Sequence, residues 1–417
     1  MKVLVIGSGA REHAITWKVK QSNKVTELFA APGNAGIAEI ATCVPIKADD
    51  IERLCDFALK HAIDLTIVGP EVPLVLGIVD LFREKGLRIF GPDKHGALFE
   101  GSKSYSKAFM IEHNIPTASY REFTNLEAAK EEVSIFGYPL VIKADGLAAG
   151  KGVVICENRE DALKTLDEMM SDKVFGQAGD KVVFEEFLTG IEASVLCFVD
   201  GQTIMPMASA QDYKKAFDND QGLNTGGMGA YSPSRLFDEV LDAHVNEAIL
   251  QPFLKGTQKE GIDYKGIIFI GLMIKDNKAK VIEFNCRLGD PETQVVLPRL
   301  ENDLIEVIDA CIDGHLDKVN LKWSKSSAVG VVLASGGYPG SYEKNKVISG
   351  LDSCEEIVFH AGTTHKGKDI VTNGGRVLTV VSLAEDIEAA KQKTYKNLNR
   401  ISFDQMMYRK DIAGPQL

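Results

Sequence analysis

The first hundred residues read as short apolar runs, each stopped by glycine or proline and followed by a helix, and that punctuation permits few folds. Lys2–Ile6 ends in Gly7-Ser8-Gly9, and Ala10–Lys20 reads as helix. Val25–Ala31 is a second strand, Asp49–His61 a helix, and Asp64–Val68 a third strand closed by Gly69-Pro70. Glu71–Lys85 is helical, and Leu87–Phe90 is a fourth strand stopped by Gly91-Pro92. Short apolar strands without period-two alternation, spaced by helices, belong to a parallel sheet covered on both faces. A doubly wound α/β domain is expected over residues 1–102.

The pattern then changes. Thr117–Phe123, Leu126–Phe136, Leu140–Ala144 and Gly152–Cys156, with helix Asp161–Met170, form a small α+β unit ending near Leu188. Strands follow at Ala193–Val199 and Thr203–Ala208, then a Gly/Asn-rich stretch, Asp218–Ser232, with little periodicity. A long helix around Asp238–Lys255 leads to strands Ile267–Lys275 and Ala279–Phe284 and to helix Asp303–Asp313. The last part opens with strand Ala328–Ala334 and a Gly-Gly-Tyr-Pro-Gly turn. At about 150 residues per domain, 417 residues hold two to four domains. The division expected is 1–102, 103–190, 191–325 and 326–417, the last small and β-rich.

Composition narrows the partners. A net charge of −12 disfavours nucleic acid, which needs a basic face. No apolar run approaches the roughly 18 residues of a membrane helix; the best is Gly266–Ile274. Val3–Ile6 is too short for a signal peptide core. Seven scattered cysteines, never spaced as CxxC, argue for a reducing compartment and against a zinc site. A cytoplasmic monomer with no membrane or nucleic-acid partner is expected.

Gly7-Ser8-Gly9-Ala10-Arg11-Glu12-His13 sits where a dinucleotide fingerprint would sit, but Glu12 occupies the third glycine position. The second strand also ends in Phe29-Ala30-Ala31-Pro32, with no acid for a ribose. What survives is a turn whose N–H groups suit one phosphate, or equally a tight strand-to-helix turn. Asn34 lies in a second polar loop at the same sheet edge, and His13 reads as a packing residue.

Further on, Lys143-Ala144-Asp145-Gly146-Leu147-Ala148-Ala149-Gly150-Lys151-Gly152 places a lysine at a strand end, then a glycine loop with a second lysine. Glycines let N–H groups approach phosphate oxygens while lysines neutralise them. No Ser or Thr follows Lys151 and a strand comes next, so this is not a P-loop. Val182–Phe184 then runs into Glu185-Glu186-Phe187-Leu188 and Glu192, which could seat an adenine and a ribose or simply end a strand in water. In Val281–Thr293, period-two alternation puts Glu283, Asn285 and Arg287 on one face, opposite Ile282 and Phe284. A carboxylate and an amide suit Mg²⁺ held against ATP phosphates, and an arginine beside them suits a carboxylate or phosphate.

Together SKxxxK at residue 103, VIKADGLAAGKGV, EEFLTGIEAS, NTGGMGAYSP and IEFNCRLGDPET resemble the ATP-grasp carboxylate–amine ligases. With GSGAREHA, APGNAG, VGPEVPLV, GGYPG, TNGGRVLTV and YRKDI, the chain resembles, over nearly its whole length, the glycinamide ribonucleotide synthetase family. Ala10, Tyr213, Lys215 and Leu288 depart from residues common there, and the middle pair touches a substrate loop.

The resemblance implies an N-terminal doubly wound domain, a mobile lid, an ATP-grasp domain and a C-terminal domain. It implies ATP-dependent joining of glycine to 5-phosphoribosylamine through glycyl phosphate, with ATP and Mg²⁺ (or Mn²⁺) required. Lys103 and Lys143 would hold phosphates under a loop that includes Gly150, Lys151 and Gly152. Glu185, Glu186, Phe187, Leu188 and Glu192 would seat adenosine, while Glu283 and Asn285 carry the metal. Asp212 would hold the glycine ammonium, with Arg287 and Asp290 facing the carboxylate. The sugar phosphate would meet Gly9, Glu12, Asn34, Gly375 and Arg376. A sister ligase with another acid or amine would share the same clamp.

Overall fold

The N-terminal alternation folds as a five-stranded parallel sheet. Its order is Thr42–Cys43, Glu27–Pro32, Lys2–Gly7, Leu65–Val68, Ile89–Phe90. The molecule is described by a computed structural model covering residues 1–148 and 152–414. Val3–Ile6, in the central strand, are wholly buried because helices cover both faces. Strand order reverses beside Lys2–Gly7, so the crevice where open α/β sheets take ligands opens at Gly7–Gly9 and Gly69. One expected helix is broken. Glu71–Lys85 divides into Glu71–Leu76 and Ile78–Glu84 because Gly77 adopts φ +91°, which ends the first helix.

Two helices, Leu98–Gly101 and Lys103–Glu112, follow where the sequence pattern marked only the SKxxxK motif. Ser102 caps the second by accepting from the Tyr105 N–H at 3.2 Å. The α+β unit is an antiparallel sheet ordered Tyr120–Phe123, Val182–Glu186, Leu140–Ala144, Val153–Cys156, with a core of its own around Ile142, Leu166 and Phe184.

The central sheet is antiparallel, ordered Ile204–Pro206, Ile191–Asp200, Lys265–Lys275, Lys278–Asn285. Its register slips between Gly271 and Leu272, which pair with Glu283 and Val281, so Ile282 is an extra residue in the outer strand. This bulge falls immediately before the residues expected to carry chemistry. The long helix runs further than expected, from Glu239 to Lys259 with a wide turn at Asn246–Leu250.

The third large sheet crosses the boundary expected at 325/326. Its order is Gln211–Asp212, Gly229–Ser232, Ser327–Ser335, Arg376–Ala384, Ile357–His360, with Met406–Met407 also pairing to Ser327–Ser335. Two strands from the stretch read as aperiodic thus belong to the sheet of the C-terminal part. They are too short, at two and four residues, to show a period.

Candidate active site

A cavity of about 460 Å³ opens where all these units meet. Its phosphate-sized end is lined by lysines. Strand Leu140–Ala144 presents Lys143, whose Nζ lies 2.8 Å from Glu185 and donates to the Ile282 carbonyl at 3.3 Å. Lys103, at the start of its helix, donates to the Gly146 carbonyl at 3.1 Å. One helical turn on, Lys107 pairs with the other Glu185 oxygen at 2.9 Å and donates to Thr117 Oγ1 at 2.8 Å. Burial lowers the pKa of Lys107 to about 8, against the pull of Glu185. Burial likewise lowers Lys103, with Glu283 opposing. Lys107 spends its three donors on Glu185, Thr117 and the Ala118 carbonyl, whereas Lys103 and Lys143, poorly solvated and with fewer partners, suit a polyphosphate.

On the facing wall Glu283, Asn285 and Arg287 stand together, the placement that alternation required. Asn285 Nδ2 donates to Glu283 at 3.4 Å, and Arg287 donates to Asn285 Oδ1 at 3.2 Å. Burial works to raise the Glu283 pKa, but Lys214, Lys143 and Lys103 hold it below its ordinary value. Arg287 is gripped from the N-terminal domain by Glu100 at 2.9 Å and Glu71 at 3.4 Å. Burial penalises its charge, yet those two carboxylates raise its pKa overall. Glu100 also accepts the Cys286 N–H at 2.7 Å, so one buried carboxylate fixes both backbone and guanidinium.

The donor set at Glu283 and Asn285, one carboxylate and one amide oxygen, fits a hard divalent cation. Among the described residues no group of three or more His, Cys, Asp or Glu converges as a metal site. A cation here would need further oxygens from outside the protein, as phosphates provide.

Asp290 is held by Arg376 at 3.0 Å and accepts from Gln294 at 2.7 Å. Burial raises its pKa, but Arg376 and Arg11 lower it overall. Asp212 and Glu192 also line the cavity, and Lys214 lies 2.8 Å from Glu192.

Not every expected residue reaches the cavity. Glu185 and Glu192 line it, whereas Glu186, Phe187 and Leu188 do not. Glu186 is spent on Lys280 at 3.0 Å and the Ser119 N–H at 3.2 Å. Gly152 is part of the wall, while Gly150 and Lys151 lie outside the described residues. Of the sugar-phosphate group only Arg376 lines the cavity. Glu12 accepts from the Gly9 N–H at 2.6 Å and pairs with Arg11, closing a capping box. Asn34 donates to the Ser8 and His360 carbonyls at 2.9 and 2.6 Å and accepts the Ile37 N–H at 2.9 Å, so its amide ties loops together. Gly375 is packed under the Tyr338 ring, where any side chain would overlap it. His13 is indeed internal: it accepts the His360 N–H at 2.8 Å, and burial lowers its pKa to about 3.

Sequence reasoning missed the cavity residues Arg11, Glu71, Glu100, Lys107, Lys214 and Glu292. For Lys107 a signal existed, since it lies four residues after Lys103 on one helix face. Glu71 and Glu100 carried none, because their role is to meet an arginine about two hundred residues away.

Three family descriptions match in order: phosphoribosylglycinamide synthetase N domain over residues 1–100, ATP-grasp (A) domain over 101–293, and C domain over 328–415. A phosphoribosylamine–glycine ligase of Halalkalibacterium halodurans is 53% identical over 99% of this chain and 97% of its own length. One from Vibrio vulnificus is 50% identical over 99% and 98%. The crystal structure of the Thermotoga maritima phosphoribosylamine–glycine ligase superposes with a TM-score of 0.88 at 34% identity, covering 99% of this chain and all of that one. A biotin carboxylase from Campylobacter jejuni, 16% identical with a TM-score of 0.75 over 97% and 92% of the two chains, shares the fold. With its N, ATP-grasp and C domains matched in sequence and its full length matched in structure, the chain belongs to the phosphoribosylglycinamide synthetase family.

Proposed function

We propose that this protein joins glycine to 5-phosphoribosylamine, consuming ATP and forming glycinamide ribonucleotide, ADP and phosphate. One observation carries the reading: in a chain of this family, the Lys103–Lys143 end of the cavity faces the Glu283–Asn285–Arg287 wall. Cations suited to phosphate in one cavity with groups able to steady an acyl phosphate support the reading.

A glycine carboxylate is a poor acyl donor because oxide would have to leave. Accepting the ATP γ-phosphoryl group turns the leaving group into phosphate, and the amine then attacks the carbonyl carbon. Lys103 and Lys143 neutralise the transferring phosphoryl oxygens. Arg287, immobilised by Glu100 and Glu71, holds the carboxylate and then the oxyanion without reorganising. Glu283 and Asn285 would hold Mg²⁺ or Mn²⁺, which when bound draws charge from the phosphate oxygens. Glu185 and Glu192 bound the nucleoside side, and Asp212 faces the amino end of glycine. Arg376 and Asp290 close the side towards the C-terminal domain.

Among the described residues no helix is long and apolar enough to cross a membrane, and all seven cysteines are unpaired. Those scattered thiols support a cytoplasmic setting. The test is direct. Purified protein with ATP, Mg²⁺, glycine and 5-phosphoribosylamine should release ADP in step with amide formation. ADP release that needs a different acid or amine would move the protein to a sister ligase.

A further inference from the structure

The cavity wall carries one more carboxylate, with no role in phosphate or metal binding. Glu292 opens helix Glu292–Val296, is 3% exposed, and lines the cavity with Asp212 and Lys214. Apart from its own N–H, its hydrogen bond among the described residues is a long one, 3.4 Å from Ser194 Oγ. Lys214 is turned to Glu192 at 2.8 Å, and among the described residues no cation lies within ion-pairing distance of Asp212 or Glu292. Gly289 keeps the carboxylate in place by having no side chain, since a Cβ there would overlap Glu292. A buried carboxylate and a half-buried one thus face one cavity, neither in a direct ion pair among the described residues and with Lys214 acting on both only at longer range, and together they make a seat for a small cation.

We propose that Glu292, together with Asp212, seats the α-ammonium of the amino-acid substrate and so selects amino acids over uncharged acids of the same size. Glycine binds as a zwitterion. Its carboxylate belongs at Arg287, and an ammonium has three donors to share between two carboxylates. The electrostatics agree with the geometry. Burial, with Asp212 opposite, pushes the Glu292 pKa up to about 8, while Lys214 and Arg287 pull against this. Burial raises Asp212 as well, with Lys214 opposing and Glu192 and Glu283 reinforcing. An arriving ammonium replaces the proton the pair would otherwise keep.

The inference rests on the glycine-ligase reading, and the two can fail separately. Wild-type protein that turns over no ATP with glycine and 5-phosphoribosylamine would refute that reading before any variant is made. Given active wild type, the probe is glycolate, which has the size of glycine but no ammonium. Glu292→Gln should raise the KM for glycine roughly 10–100-fold, the worth of a charged hydrogen bond, with a much smaller fall in kcat. The KM for ATP and the inhibition constant of glycolate should stay as in wild type, and Glu292→Asp should recover part of the glycine affinity. Equal weakening of glycine and glycolate, or a loss confined to kcat, would overturn the proposal, as would unchanged glycine affinity. If Glu292→Gln does not fold, the glycine-to-glycolate preference of Glu292→Asp decides: reduced preference supports the seat, unchanged preference refutes it.

Discussion

Arg287 is useful because two acids from another part of the chain hold it still. Glu71 and Glu100 supply the charge that keeps a buried guanidinium in place, and Asn285 takes a further N–H. Glu283 stands beside it, surrounded by Lys103, Lys143 and Lys214. Glu283→Gln should lower turnover by roughly 10²–10³-fold, because a charge aimed at the transferring phosphoryl group is lost. The variant should stay folded, with a modest fall in melting temperature. Near-normal turnover at saturating Mg²⁺ in a folded variant would contradict the assignment. The acids also set the pH dependence. Glu283 and Asp290 have depressed pKa values, so their stabilisation is present above the ordinary carboxylate range and is lost as pH falls through the depressed values. Glu292 has the opposite sign: its contribution is full below the ordinary range and is lost as pH rises towards about 8. The wild-type melting temperature should therefore fall as pH rises from about 5 to about 8, and Glu292→Gln should flatten that slope. Equal slopes in both proteins would contradict the raised pKa. These pairings show what the sequence could reveal at this scale. Glu283, Asn285 and Arg287 were legible from alternation alone. Glu12 and Asn34 stand outside the cavity, and in sequence a capping acid and a loop-tying amide look the same as ligands.

Among the elements, strand Lys278–Asn285 shows why alternation served so well. Its bulge at Ile282 lies just before Glu283, and from there the ordinary pleat delivers Glu283 and Asn285 to the cavity. The helix expected over Glu71–Lys85 shows the contrary case. Its composition is helical throughout, but Gly77 takes a left-handed conformation and divides it. Space at Gly77 is ordinary, with Lys94 at 3.4 Å from an added Cβ, so only the backbone objects to a side chain. Gly77→Ala should cost about 1–3 kcal/mol in chemical denaturation, the strain of a positive φ, with activity retained. A stabilised Gly77→Ala protein would show that one continuous helix is available to this segment.

For the whole molecule, the sheet that crosses residue 325 is the decisive feature. Gly229–Ser232 is wholly buried between Gln211–Asp212 and Ser327–Ser335, and Arg376 donates to the carbonyls of Gly226 and Asp290 at 2.7 and 2.9 Å. The strand carrying Asp212 is thus part of the C-terminal sheet. A chain ending at Lys325 should not be a smaller ligase but an aggregation-prone fragment with an unpaired buried strand. A soluble fragment with glycine-dependent ATP turnover would contradict this. The doubly wound N-terminal domain was legible because each strand is a closed apolar run between breakers. The shared sheet was not, because Gln211–Asp212 and Gly229–Ser232 are short and the second of them pairs with Ser327–Ser335, about a hundred residues away.

Glycine should be activated as an acyl phosphate between the lysines and Arg287. Glycine carrying heavy oxygen in both carboxylate positions tests that claim, with the released inorganic phosphate read by mass spectrometry. One labelled oxygen in each phosphate formed is the result predicted. Phosphate without label, released while the amide is made, would contradict it.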